Sequence, residues 1–373
     1  MSPAPPPPRL RRARALIALL LVGGLITACG QADGPPVDDA SPSTSHLPPT
    51  LLTHKPKPTL PPIEVPTTTT PPPSRVPPRS PDDSETGSNQ YAVGLTTLEF
   101  TDSTRPSAAR GTDPAKSART FVLTIRYPAS GPTTAAEGQL DPARTAGPFP
   151  LVMFVHGFNS SAARYDQLLH SLSAAGYVVV APDFPLTSSA FNGPAVEDDV
   201  VNQAGDVKFL ISKMLTANDQ AGVLQHLIAS DKIAVAGHSD GGITAAATAY
   251  NSCCTDKRVK AVIVASGEES LFPDTWFTDA SGPPFLGMHA DTDEVTPYAK
   301  GQALYAAATR PKYFVTIVGA NHAGPFTDGP QAPAAARLMA EFLDGQLKQD
   351  AGALTTLSND ANQAPFKLES DAS

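Results

Sequence analysis

"IAVAGHSDGGITAAA", residues 233–247, is the stretch whose reading decides the fold. Its first five residues form an apolar run that reads as a buried strand, and from Gly241 onward the residues are small and suit a helix. Between them, Gly237-His238-Ser239-Asp240-Gly241 has the Gly-x-Ser-x-Gly spacing of a nucleophile elbow. In such a turn a strained backbone lifts the serine hydroxyl above the strand ends, and the glycines let strand and helix approach closely. The bare pattern recurs by chance as a structural turn. Its specificity here comes from the setting between a buried strand and a small-residue helix.

The flanking sequence repeats the alternation. Strands are read at 119–128, 149–157, 177–184, 232–237, 259–266, 284–290 and 312–319. Helical spacing is read at 165–176, 195–215, 241–250, 297–308 and 331–348. Near-continuous apolar strands separated by helices imply an α/β fold, with a mostly parallel sheet covered by helices on both faces. Ligands in such sheets bind at the carboxyl ends of the strands.

A serine hydroxyl becomes a nucleophile when a histidine takes its proton, and that histidine needs an acid to orient it. After an elbow of this type the chain order is serine, acid, histidine. Two histidines follow Ser239. His289 falls inside a strand, which suits a core or flanking role, whereas His322 lies in the loop "VGANHAGPF" after the last strand, where the base belongs. "HADTDEVTP" (289–297) offers Asp291, Asp293 and Glu294, and spacing alone leaves Asp291 and Asp293 both open. It lacks the glycine and terminal glutamate of an EF-hand loop at the proper offsets, so calcium is not expected. An oxyanion requires two preorganised N–H donors. The backbone amides of Asp240 and of Phe158, in "VHGFNS", are the candidates, with His156 supporting that loop. The Asp240 carboxylate stands in a first helical turn, where the helix dipole favours it, and is expected to disfavour anionic substrates.

"HGFNSSAARYDQLLHSLSAAGYVVVAPDF" (156–184) with "GHSDGG" resembles the chlorophyllase and dienelactone-hydrolase-like branch of the α/β-hydrolases. "VGLTTLEFTDSTRP" (93–106), "RTFVLTIRYPAS" (119–130) and "PKYFVTIVGANHAGPF" (311–326) resemble bacterial proteins related to platelet-activating-factor acetylhydrolase. The likeness covers about 91–345 and implies an α/β-hydrolase fold with no large lid. That group's Asp-x-Val-x-Pro acid loop falls on Asp293-Glu294-Val295-Thr296-Pro297, which selects Asp293 and leaves Asp291 in reserve. There are two departures. Dienelactone hydrolases proper carry cysteine where this chain has Ser239. Cutinase-type polyester hydrolases place a tryptophan soon after the strand following the elbow, where this chain reads "ASGEES" and Trp276 comes later.

The N-terminal region has a different character. "RLRRARALIALLLVGGLITAC" (9–29) sets an arginine cluster before an apolar run too short to span a bilayer, as in a signal peptide. It closes on Ile26-Thr27-Ala28-Cys29, which looks like a bacterial lipobox with Cys29 as the lipidated residue. Most of the 40 prolines lie in the first ninety residues, a composition that cannot bury enough surface to offset ordering entropy. The organisation expected is a signal peptide at 1–28 and a lipid-anchored Pro/Thr-rich stalk at 29–90. A catalytic domain at 91–349 and a tail at 350–373 complete it. A net charge of −9 leaves no basic stripe for nucleic acid. No histidine or second cysteine pair accompanies Cys253-Cys254, so these read as two small structural residues, free to oxidise outside the cytoplasm, and not as metal ligands.

These features together predict a monomeric, membrane-anchored serine ester hydrolase on the extracytoplasmic side of a bacterial envelope. It would act on a small or lipid-like ester through an acyl-serine, with Ser239, Asp293 and His322 as the triad, and needs neither cofactor nor metal. The short stretch 267–283, with Leu271, Phe272, Trp276 and Phe277, could shape an open pocket but not a helical lid. The rival expectations are a cutinase-like polyester hydrolase, an envelope acyltransferase, and an inactive hydrolase-fold lipoprotein that binds a partner.

Overall fold

Nine strands and six helices alternate along the described part of the chain, residues 90–277 and 281–372 of a computed structural model. The expected signal peptide, the lipidation at Cys29 and all but the last residue of the expected stalk lie outside the described residues. In order the elements are β1 (Ala92–Asp102), β2 (Arg119–Ala129), β3 (Phe149–Val155), α1 (Asp166–Ala174), β4 (Val178–Asp183) and α2 (Val200–Asp219). Then come β5 (Ile228–His238), α3 (Asp240–Tyr250), β6 (Val259–Ala265), β7 (Phe285–Ala290) and α4 (Tyr298–Ala307). β8 (Lys312–Ile317), α5 (Ala332–Leu347), α6 (Ala351–Asp360) and β9 (Phe366–Asp371) complete the set.

One sheet holds all nine strands in the order β1-β2-β4-β3-β5-β6-β7-β8-β9. β3 to β8 run parallel, and antiparallel pairings join β1 to β2, β2 to β4 and β8 to β9. The two-residue period of a strand assigns its side chains to two cores. Leu151, Met153 and Val155 of β3 and Ile233 and Val235 of β5 join the core beneath α2, α3 and α4. Val152, Phe154, Ala234 and Ala236 join the core beneath α1, α5 and α6. Both faces are therefore covered, and the central strands read as apolar without interruption. This is the α/β-hydrolase fold, with no large lid among the described residues.

The structure corrects one boundary. The stretch after Asp350, expected as a tail, is folded. The Asp350 carboxylate caps α6 by accepting from the amides of Gly352 and Ala353 at 2.9 and 3.3 Å. β9 then pairs along the whole of β8, from Lys312 opposite Asp371 to Ile317 opposite Phe366. β9 is an edge strand with mostly exposed or half-buried side chains, so its sequence carries little apolar signal.

The α5–α6 contact holds an unusual carboxylate. Glu341 of α5 is 7% exposed, and among the described residues neither of its oxygens has a hydrogen-bond partner. Arg337 Nε lies 3.6 Å away but donates to Asp360 at 3.0 Å. Burial, joined by the charge of Asp360, pushes the Glu341 carboxyl up to about 8 from an ordinary 4.5. Between these two values the folded protein binds a proton that the unfolded chain has lost. This stabilising contribution is complete below 4.5 and is withdrawn as pH rises toward 8. Glu341→Gln should therefore lose less stability than the wild type between pH 5 and 8. The expected difference is about 3–4 kcal/mol, read from thermal denaturation at several pH values. Parallel curves would show that Glu341 titrates normally.

Candidate active site

The elbow is built where β5 meets α3. Ser239 adopts φ 57° and ψ −125°, a strained conformation for a residue with a Cβ. Its amide donates to Ala265 O at 2.9 Å and its carbonyl accepts from Ile243 N at 3.1 Å, so the turn is tied to β6 and to its own helix. The neighbouring glycines are steric necessities. A methyl on Gly237 would lie 2.1 Å from Gly241 O, and one on Gly241 would lie 2.0 Å from Val155 O. Ser239 itself is 7% exposed.

The other expected residues leave the carboxyl ends of neighbouring strands. Asp293 follows β7 and His322 follows β8, and His322 Nδ1–H donates to Asp293 Oδ2 at 2.7 Å between two side chains that are almost fully buried. Asp293 Oδ1 accepts from the amides of Val295 and Thr296 at 2.9 and 2.8 Å. Burial alone would raise the Asp293 carboxyl. The hydrogen bonds from His289 and His322, the His322 charge and the Thr296 amide reverse this and hold it far below the usual range. Asp291, left open by spacing, is exposed and turns to the Gly319 amide at 2.6 Å, away from His322. Glu294 accepts from the His322 amide at 3.1 Å and so fixes the histidine loop.

Two residues that the sequence did not single out join these loops. His238, the variable residue before Ser239, has Nε2 at 2.9 Å from His322 O and Nδ1 at 2.9 Å from Tyr165 Oη. Tyr165 Oη in turn accepts from the Gly157 amide at 3.1 Å. One assignment of protons satisfies all three bonds. Gly157 N–H donates to tyrosine, tyrosine O–H to Nδ1, and Nε2–H to the His322 carbonyl. The elbow, the loop after β3 and the histidine loop are thereby joined through buried groups, with the His238 and His322 rings 4.6 Å apart between centroids.

The loop after β3 carries Phe158, whose amide has no acceptor among the described residues. Next to it, His156 is buried and sits as a support. Its Nδ1–H donates to Gly157 O at 2.8 Å and its Nε2 accepts from Phe184 N at 3.4 Å, while burial lowers its pKa. The Asp240 carboxylate is buried, at 1% exposure, and its charge acts on His156. It is therefore not exposed at the surface of the site. A second layer holds the Phe158 loop from outside. Asn159 N donates to Thr187 O and Ser189 N to Ser160 O, and the buried Arg110 guanidinium clamps the same 185–193 segment through the carbonyls of Pro185, Phe191 and Gly193.

The rim after β6, where pocket wall and packing were both open, is mostly packing. Phe272 is buried against Ile243, Ala247 and Val200, and Phe277 packs tilted against Tyr250 with ring centroids 4.9 Å apart, so both serve packing. Leu271 is the aromatic stretch's exposed apolar residue, 46% accessible with φ 64°. Cys253 and Cys254, read as two small residues, are joined to each other by a disulfide. They sit beside the segment where Asn251 and Ser252 hydrogen-bond to Pro273 and Thr275.

The fold is that of the α/β-hydrolases, and the elbow serine and the Asp293–His322 pair lie at the carboxyl ends of its strands. A family model for chlorophyllase matches residues 134–266, which include Phe158 and Ser239 and end before Asp293 and His322. The esterase YjfP of Escherichia coli (strain K12) is 33% identical over 129 residues, 34% of this chain and 51% of that protein. The chain thus spans about half the length of the curated relative it matches. A solved ferulic acid esterase from Streptomyces cinnamoneus is similar with a TM-score of 0.52 and 21% identity, over 70% of this chain and 91% of that one, a likeness of fold.

Removing the tyrosine hydroxyl tests the buried relay. Tyr165→Phe removes the oxygen that accepts from the Gly157 amide and the hydroxyl that meets His238 Nδ1, which should cost about 1–3 kcal/mol in urea denaturation. A loss near zero would mean that the tyrosine hydroxyl adds nothing to the hold between the elbow and the loop after β3.

Proposed function

We propose that the chain is a serine carboxylic-ester hydrolase in which Ser239 is the nucleophile, His322 the base and Asp293 the acid that orients it. The observation that carries this reading is the 2.7 Å hydrogen bond between buried Asp293 and His322, at the same strand ends as the strained elbow serine. With Nδ1–H engaged by Asp293, His322 Nε2 is left as a proton acceptor. Ser239 Oγ adds to the ester carbonyl carbon as His322 takes its proton, and the oxyanion is held by the amides of Phe158 and Asp240. Collapse expels the alcohol, protonated by His322, and leaves an acyl-serine. Water, deprotonated by His322, adds to that ester and releases the acid. The name of the curated relative, an esterase, supports this class.

The substrate proposed is a small or lipid-like ester with an acyl chain of short to medium length, since the rim after β6 is short. The location proposed is the extracytoplasmic side of a bacterial membrane, with Cys29 lipidated. The motif at 26–29 and the arginine-led apolar run support it.

Fluorophosphonate should label the wild type and fail to label Ser239→Ala. Equal labelling of both would overturn the assignment. Asp293→Asn should lower kcat on p-nitrophenyl esters by about 10³–10⁴-fold, because the amide favours the wrong histidine tautomer. An ester produced in preference to free acid when alcohols are supplied would identify an acyltransferase instead. For the anchor, Cys29→Ala should abolish palmitate incorporation and move the protein from the detergent phase to the aqueous phase. Unchanged partitioning would remove the lipid.

A further inference from the structure

His289, in β7, is a second histidine close to the acid. It is 1% exposed, with Nε2 at 3.0 Å from Thr296 O and 3.3 Å from Asp293 Oδ2. Both neighbours accept hydrogen bonds, so Nε2 carries a hydrogen. The ring is seated by α4. A methyl on Gly301 would lie 2.2 Å from His289 Nδ1, and Tyr298 meets the ring edge-on at 5.8 Å. A histidine serving only the core would be satisfied by the Thr296 carbonyl and would not need to approach the carboxylate.

We propose that His289 is a positioning residue for the acid–base pair, its one Nε2 hydrogen shared between the Thr296 carbonyl and the same oxygen of Asp293 that accepts from His322. This rests on the hydrolase reading above. The two oxygens of Asp293 have separate duties. Oδ1 is occupied by the amides of Val295 and Thr296, and Oδ2 faces the two imidazoles. An acceptor oxygen has room for two donors, and the second one fixes the rotation of the carboxylate about its own axis. His322 then meets an oxygen that cannot swing toward water, and its ring stays aimed at the serine. The second donor also spreads the carboxylate charge, in line with the depressed Asp293 carboxyl.

The test compares His289→Phe, which removes the donor and keeps a ring, with His289→Gln, whose amide N–H can reach the position of Nε2. Gly301→Ala is a third variant that leaves His289 intact and displaces its ring. Kinetics are measured on a soluble short-chain p-nitrophenyl ester beside wild type and Ser239→Ala, with folding checked by thermal denaturation. His289→Phe and Gly301→Ala should lower kcat by about 10–100-fold, as outer-shell partners do, with KM changed less than about two-fold. His289→Gln should recover most of that loss, and the low-field proton resonance of His322 Nδ1–H should move in His289→Phe. The proposal is overturned if folded His289→Phe turns over like wild type, or if Gln and Phe are equally impaired with the resonance unmoved. Should His289→Phe fail to fold, Gly301→Ala with wild-type kcat overturns it equally. A wild type without Ser239-dependent turnover would instead overturn the hydrolase reading, and is recognised before any His289 variant is needed.

Discussion

The constraint on which the rest depends is steric. Ser239 can take its left-handed conformation only if the backbones of β3, β5 and α3 approach to a distance that excludes any Cβ at Gly237 and Gly241. That approach brings the start of α3 against the end of β3, with Val155 O facing Gly241. The loop after β3 emerges beside the elbow for this reason, with Gly157 close against Ser239 and His238. An elbow is thus more than a way of exposing a hydroxyl. It sets the separation between two strand ends, and the loops after them inherit it.

Steric contact sets distances but not the orientation of loops, and here polar groups act. Each loop at the site is held by at least one buried hydrogen bond to another loop. His238 reaches the His322 carbonyl, Tyr165 reaches Gly157, and Glu294 reaches the His322 amide. Buried donors and acceptors are costly to leave unmade, so such a network favours one arrangement sharply over its neighbours. The same logic explains how a carboxylate can be buried beside a histidine. Asp293 replaces its lost water with two amides and two imidazoles, and so stays charged where desolvation alone would have protonated it.

The sequence showed what is local and concealed what is distant. Strand and helix positions followed from the apolar period, and Ser239 and His322 from the motif and chain order. Asp293 was distinguished from Asp291 only through the family resemblance, because two carboxylates two residues apart differ in direction, not in spacing. Tyr165 and His238 carried no signal, since they are 73 residues apart and His238 meets a carbonyl 84 residues further on. α6 and β9 were missed because β9 packs little apolar surface. The aromatic residues 272–277 were ambiguous for a related reason. A run of large apolar side chains between strands fits a pocket wall or a core equally, and the positive φ values at Leu271, Asp274 and Phe277 turn Phe272 inward while leaving Leu271 out.

The antiparallel half of the sheet reaches the site by an ionic route. Arg119, at the start of β2 and 1% exposed, is shared between Asp199 and Asp206 at 2.6 and 2.7 Å, which fastens α2 at its N-cap residue and again about two turns later. A buried pair of this kind adds little net stability over apolar packing, but stranding one partner is costly, so it acts against any other placement of the helix. α2 is then fixed in rotation by Gln203, whose amide donates to Thr187 and accepts from Thr244 of α3. Thr187 O receives the amide of Asn159, next to Phe158. The position of Phe158 is therefore connected to an arginine of β2 through a series of ionic and hydrogen-bonded contacts. Apolar packing, which tolerates sliding, could not transmit that position as closely.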